Sequence, residues 1–153
     1  MAIDQSKFDV GYKETHTQKI TADMVQKFAE LSGDFNPIHM DDEYAKQTRY
    51  GRRIAHGMIA AALISRTLYD RLGEGVYLAQ TLKFSAPIYL EDTVTVTVEI
   101  KNLRRKLGYC IIETTVTNQN NEVVVKGEAT MMLNPRPLSQ AEETQNQDQK
   151  VEV

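Results

Sequence analysis

From Met58 to Tyr69 the chain carries a helix-length run whose first half, Met58-Ile59-Ala60-Ala61-Ala62-Leu63-Ile64, is apolar on every face. A helix of that kind has to be covered all round. It is too short, and too soon interrupted by Arg66 and Asp70, to cross a membrane. The cover must come from a soluble fold, and the sequence that follows supplies it. Val94, Val96, Val98 and Ile100 alternate with Thr95, Thr97 and Glu99, a period of two that predicts a strand. Residues 76–85, 109–117 and 122–133 read as further strands, and Asn118-Gln119-Asn120-Asn121 is a turn by composition. Phe8, Val10 and Tyr12 alternate and predict a short first strand. Strands gathered after the helices favour an α+β fold, a curved antiparallel sheet around a central helix, over a doubly wound α/β arrangement.

A length of 153 residues is enough for one domain with a real core. The expected domain is 1–137, with 138–153 a polar tail lacking apolar periodicity and expected to be disordered. A net charge of −3 argues against broad nucleic-acid affinity. The single Cys110 excludes an internal disulfide and lies in an apolar strand pattern, where it packs. Residues 1–7 contain no apolar stretch of signal-peptide type. A cytoplasmic protein with no nucleic-acid or membrane partner is expected.

The chemistry-bearing residues cluster just before the apolar helix. Residues 21–31 read as a helix with Thr21 as N-cap, Met24, Val25, Phe28 and Leu31 on one apolar face, and Gly33 as its stop. Pro37 then biases Asn36 away from helix, so Asp34 and His39 are expected on an irregular loop between ordered elements. A carboxylate and an imidazole held together can act as general base and acid. The alternative is that Asp34 and Asn36 only make turn hydrogen bonds, with His39 on the surface before a cap at Asp41 or Asp42. Gly57 falls at a helix start, where free N–H groups favour an oxyanion; a Cβ there would crowd an approaching carbonyl, and a loop conformation that only glycine tolerates is a second reason for its presence. Ser65 is the polar group in the buried run; it either serves the site or bonds back to the Ala61 carbonyl. His56 reads as a positioning or capping residue. His16, His39 and His56 lack metal-ligand spacing in the sequence, so no metal is expected.

Asp34-Phe35-Asn36-Pro37-Ile38-His39 together with Ala55-His56-Gly57-Met58 resembles the MaoC-like dehydratase family, and within it the short (R)-specific enoyl-CoA hydratases. The resemblance extends over residues 8–133. It implies the hot dog fold, a homodimer, and action on an acyl-CoA thioester with no cofactor. It implies catalytic roles for Asp34 and His39, an oxyanion-hole amide at Gly57, and a place for Ser65 near the pair. Asn36, Arg49, Arg52, Arg53 and His56 are expected to contact substrate; the arginines, with Lys46, form a basic cluster suited to the phosphates of coenzyme A. Arg104-Arg105-Lys106 is a second such cluster. One departure stands out: relatives commonly have proline where this chain has Arg53. Two other readings stay open. A thioesterase on this fold would usually carry a carboxylate on the central helix, and none occurs before Asp70. A non-catalytic acyl-CoA-binding subunit would be expected to lose the Asp or the His.

Overall fold

The computed structural model describes residues 5–133; the expected tail, 138–153, lies outside them. Along the chain the elements are β1 (Lys13–Lys19), α1 (Ala22–Ser32), α2 (Pro37–Met40), α3 (Asp42–Lys46), α4 (Gly57–Leu72), β2 (Gly75–Gln80), β3 (Lys83–Phe84), β4 (Thr93–Arg104), β5 (Tyr109–Thr117) and β6 (Val123–Leu133). The strands form one antiparallel sheet in the order β1-β4-β5-β6-β2, with β3 also pairing β6.

The period of two in β4 explains the sheet. Val94, Val96, Val98 and Ile100 are buried on the face that α4 covers, and the intervening residues face outward. The register sets Val96 opposite Val116, Val98 opposite Thr114 and Ile100 opposite Ile112, so apolar columns run across the strands. Ile59, Ala60, Leu63, Ile64, Leu68 and Leu72 of α4 complete this core. Full burial of each large aliphatic side chain contributes about 1.5–3 kcal/mol. Cys110 is part of the same core, and burial pushes its thiol up to about 11, as befits packing rather than nucleophilic chemistry.

Four local expectations are corrected. The first strand is Lys13–Lys19, not 8–12; Phe8 is buried but Val10 is exposed. Its sequence, Lys-Glu-Thr-His-Thr-Gln-Lys, hides from a period-two search because it is an edge strand whose inner residues are only half-buried. Residues 76–85 are two strands, since a register irregularity at Tyr77/Ala79 and a break at Thr81-Leu82 interrupt pairing. On α1, Val25 and Ala29 are the buried pair, while Leu31 is 85% exposed. Finally, α4 is not covered on every side: Met58, Ala62, Ser65 and Tyr69 form an exposed stripe along it. The hydroxyl that bonds back within the buried face is Thr67, whose Oγ1 donates to the Leu63 carbonyl at 2.7 Å.

Candidate active site

The segment from Gly33 to Gly57 is built by side chains bonding to backbone. Helix α1 is capped by Thr21, whose hydroxyl accepts from the Met24 N–H, and ends at Gly33 in the left-handed conformation, φ 77°. Asp34 Oδ1 then accepts from the Asn36 N–H at 3.1 Å. Asn36 Oδ1 accepts from the Ile38 N–H at 3.2 Å and caps α2, with Pro37 at the first helical position, where its missing N–H costs nothing. His39 therefore stands on a one-turn helix rather than on irregular loop, and Asp41 caps α3 by accepting from the Tyr44 N–H. The turn reading of Asp34 and the paired reading coexist. Oδ1 makes the turn, and Oδ2 lies 3.9 Å from His39 Nε2.

His39 is held at several points. Its Nδ1–H donates to the Ile54 carbonyl at 2.8 Å, its own carbonyl accepts from Arg53 Nε at 2.6 Å, and the Ile54 N–H donates to the Ile38 carbonyl at 3.2 Å. A carbonyl can only accept, so Nδ1 carries the proton and the Nε2 lone pair faces Asp34. The imidazole is only 12% exposed, against 50% for the Asp34 side chain. Burial pushes the His39 pKa below its ordinary 6.5, with the His56 and Arg53 charges acting the same way; the Ile54 carbonyl and Asp34 oppose it. His39 is thus neutral at pH 7.

His56 is 2% exposed, so the expected contact with substrate is corrected. It occupies the N-cap position of α4 without capping it. Its Nε2–H instead donates to the Asp34 backbone carbonyl at 2.8 Å, and its ring packs 3.9 Å from that of His39 and 4.8 Å from Phe28. Residues 17 or 22 apart in sequence meet here, which spacing along the chain did not show. The side chains of Asp34, His39 and His56 bring one potential ligand atom each within 4.8 Å of one another. His56 Nε2 carries the proton it donates, which leaves two open donors, one fewer than the three protein ligands usual at a catalytic zinc.

A cavity of about 500 Å³ opens beside this cluster, lined by His39, Tyr50, Ile54, Met58, Phe84, Ile88 and Val125 among others, with Gly57 in its wall. Gly57 is the first residue of α4, and no side chain caps that end. First-turn N–H groups have no partner within their helix. Gly57 has no left-handed φ, so backbone freedom is not the reason for glycine. Close approach is: a Cβ there would lie 2.6 Å from Cε1 of the Phe84 ring. The arginines divide. Arg49 is exposed on the cavity lining and stacks on Tyr50, with 5.0 Å from guanidinium to ring centroid. Arg52 lies over the Tyr89 ring at 4.1 Å. Arg53 is turned inward to His39, and Lys46 pairs with Glu43 at 2.7 Å. Asn36 is exposed and spends its side-chain oxygen on the cap. Ser65 is exposed on α4, two turns beyond Gly57 and outside the cavity lining. The Arg104-Arg105-Lys106 cluster, in the β4–β5 connection, lies toward the other end of α4, about 24 Å along a 16-residue helix.

A family model for the MaoC like domain matches residues 5–124. The chain belongs to this family. It is 39% identical over 133 residues to an (R)-specific enoyl-CoA hydratase of Aeromonas caviae, covering 86% of this chain and 99% of that protein. It is 41% identical to another (R)-specific enoyl-CoA hydratase, from Rhodospirillum rubrum, over 82% of this chain and 88% of that one. Among solved structures, an unliganded R-hydratase of Pseudomonas aeruginosa superposes with a TM-score of 0.83 at 37% identity, covering 88% of each chain. The (R)-hydratase of A. caviae gives 0.81 at 36% identity, over 83% of this chain and 98% of that one. The hot dog fold that the sequence resemblance implied is the fold of this MaoC-like chain.

Sequence reasoning missed Phe84, Tyr50 and Ile88 as cavity walls. Pro87 marks where sheet pairing stops, and the chain then returns beside the site: the Ala55 N–H donates to the Ile88 carbonyl at 2.7 Å. A proline-ended strand was the available signal.

Proposed function

We propose that this MaoC-like chain is an (R)-specific enoyl-CoA hydratase, adding water to a trans-2-enoyl-CoA to give the (R)-3-hydroxyacyl-CoA, and the reverse. The observation that carries the reading is the 3.9 Å approach of Asp34 Oδ2 to the Nε2 lone pair of His39, beside a cavity that also holds the uncapped start of α4. That separation is too long for a direct hydrogen bond. It suits two acceptors that share one water. As the water oxygen bonds to C3, one member of the pair takes a proton, and the π electrons move to the thioester oxygen. The Gly57 N–H receives that charge, an effect worth about 3 kcal/mol for a typical hole donor. The proton then passes to C2 as the enolate collapses, while the second hydrogen of the water stays in the product hydroxyl. Asp34 and His39 act together as base and acid, with a gain of roughly 10² to 10⁴ in rate. The apolar walls receive the acyl chain, and the exposed Arg49 is the cation best placed to meet coenzyme A phosphates.

The working unit in this reading is a cytoplasmic homodimer. An open β2 edge bearing exposed Val76 and Leu78, and the α4 stripe of Met58, Ala62, Ser65 and Tyr69, support pairing between copies. The stripe is also where Ser65 could influence the site, through a second copy. No described helix is long and apolar enough to cross a membrane.

The deciding experiment follows loss of the enoyl-thioester absorbance of crotonyl-CoA, with product chirality read by a stereospecific dehydrogenase. Loss of absorbance with (R) product supports the assignment. Release of free thiol instead would indicate a thioesterase, and no reaction a binding subunit. Light scattering tests the dimer, and an active monomer at micromolar concentration would refute it.

A further inference from the structure

We propose that Arg53 is a positioning residue for His39 and not a reader of substrate phosphates. The inference rests on the hydratase reading above for its kinetic consequence, and on geometry for its substance. Arg53 Nε donates at 2.6 Å to the backbone carbonyl of His39, near the end of the one-turn helix α2. A helix of one turn leaves its last carbonyls without intrahelical partners, and an arginine there is a charge-assisted donor. The next residue completes the latch: Ile54 offers its carbonyl to His39 Nδ1–H and its N–H to the Ile38 carbonyl. Residues 53–54 therefore grip both the ring and the backbone of His39, which fixes the tautomer and aims Nε2 at Asp34. Arg53 is half-buried, whereas Arg49 and Arg52 are exposed. Two consequences follow. The bond should matter for turnover, because small misplacements of a reacting group cost rate steeply. The cation should also hold His39 neutral to lower pH. The groups that face His39 are Asp34, His56, Arg53 and the Ile54 carbonyl; Arg53 acts with burial and His56 to lower the His39 pKa, so removing it takes away one lowering influence and leaves His56 still opposing Asp34.

Arg53→Ala and Arg53→Lys test this together. In ligand-free protein the chain's three histidines, His16, His39 and His56, can be titrated by NMR. Arg53→Ala should move the His39 midpoint upward; Arg53→Lys, which keeps a cation, should move it less. On crotonyl-CoA, Arg53→Ala should lower kcat about tenfold with KM within about twofold, and shift the acid limb of kcat upward with the NMR midpoint. Arg53→Lys should recover the acid limb but only part of kcat, since a point-charge ammonium does not reproduce the guanidinium geometry. A tenfold rise in KM with unchanged kcat, suppressed at high salt, would make Arg53 a phosphate contact and overturn the proposal. So would an unmoved His39 midpoint together with wild-type kinetics. Should the wild-type protein fail to hydrate crotonyl-CoA, the hydratase reading falls, and the ligand-free titration still decides whether Arg53 governs His39.

Discussion

Two regions of this molecule are held together by different physics. In β4, β5 and β6 the cohesion is repetitive: alternate side chains turn inward, most of them apolar, and they meet across the strands, with Thr114 between Val98 and Gly127 the polar exception. From Gly33 to Gly57 cohesion is singular. Asp34, Asn36, His39, Arg53 and His56 each make one particular bond to one particular backbone group, and few of these side chains bury much apolar surface. The first kind of order tolerates exchange of one aliphatic residue for another of similar volume. The second does not, because each bond is set by the donor and acceptor at that position. Substitutions in the sheet should therefore lower stability and spare chemistry, while those between 33 and 57 should do the reverse.

The largest separation is expected at the pair itself. Asp34→Asn and His39→Gln preserve shape but alter the lone pairs, and each should lower hydration turnover by at least about 10² with the thermal midpoint little changed. Near-wild-type turnover of Asp34→Asn would sink the proposed chemistry while leaving the family intact. The counterpart in the sheet is Ile112→Ala. Ile112 is fully buried opposite Ile100, so the cavity left behind should cost about 2–5 kcal/mol in urea unfolding. Turnover per folded molecule should stay within about twofold; a much larger loss would mean that the two regions are not separable.

The same contrast explains what could be read from the sequence. Val94 to Ile100 announces its strand, and Thr21 and Gly33 announce the ends of α1, because period and caps are local patterns. Asp34 and His39 were recognisable as a motif, yet their geometry was not, since it depends on Ile54 and Arg53, 15 and 14 residues beyond His39. His56 looked like a substrate contact until its burial against Phe28 placed it behind the site. Edge strand β1 escaped notice because half-buried Glu14, His16 and Gln18 carry no apolar period. The exposure of Ser65 was hidden for the opposite reason: in an all-apolar run every position reads as buried, and only packing shows which stripe is left open.

Gly57→Ala sharpens the comparison at the point where the regions meet. The added methyl would press on the Phe84 ring, which is half exposed and free to swing outward. Stability should change by less than about 1 kcal/mol, in part because alanine favours helix over glycine. Turnover should fall about tenfold as the methyl and displaced ring crowd the approach to the Gly57 N–H. Combining it with Phe84→Ala separates the effects: recovery assigns the loss to the ring, and persistence to the methyl at the amide.

A smaller effect is expected from pH. His39 is a neutral acceptor whose pKa lies below 6.5, so the acid limb of kcat should be centred below pH 6.5. Stability has the same sign. Below 6.5 the unfolded chain binds a proton at this residue that the folded one resists, so unfolding becomes easier as pH falls toward the folded-state value. An acid limb centred above 6.5 would contradict a buried, neutral His39.

The smallest effect is expected at Ser65. Its hydroxyl is exposed on the side of α4 away from the core and outside the lining of the cavity. Within one chain, Ser65→Ala removes no bond that holds Asp34 or His39, whose hydrogen bonds come from residues 32, 36, 53, 54 and 56. Turnover should change less than about twofold, and helix propensity should raise stability by a few tenths of a kcal/mol. If turnover instead fell tenfold with the thermal midpoint unchanged, Ser65 would belong to the site by way of a second copy seated on the Met58–Tyr69 stripe. That outcome predicts its own check: diluting the protein to monomer should then cost the wild type the same tenfold and cost Ser65→Ala nothing further.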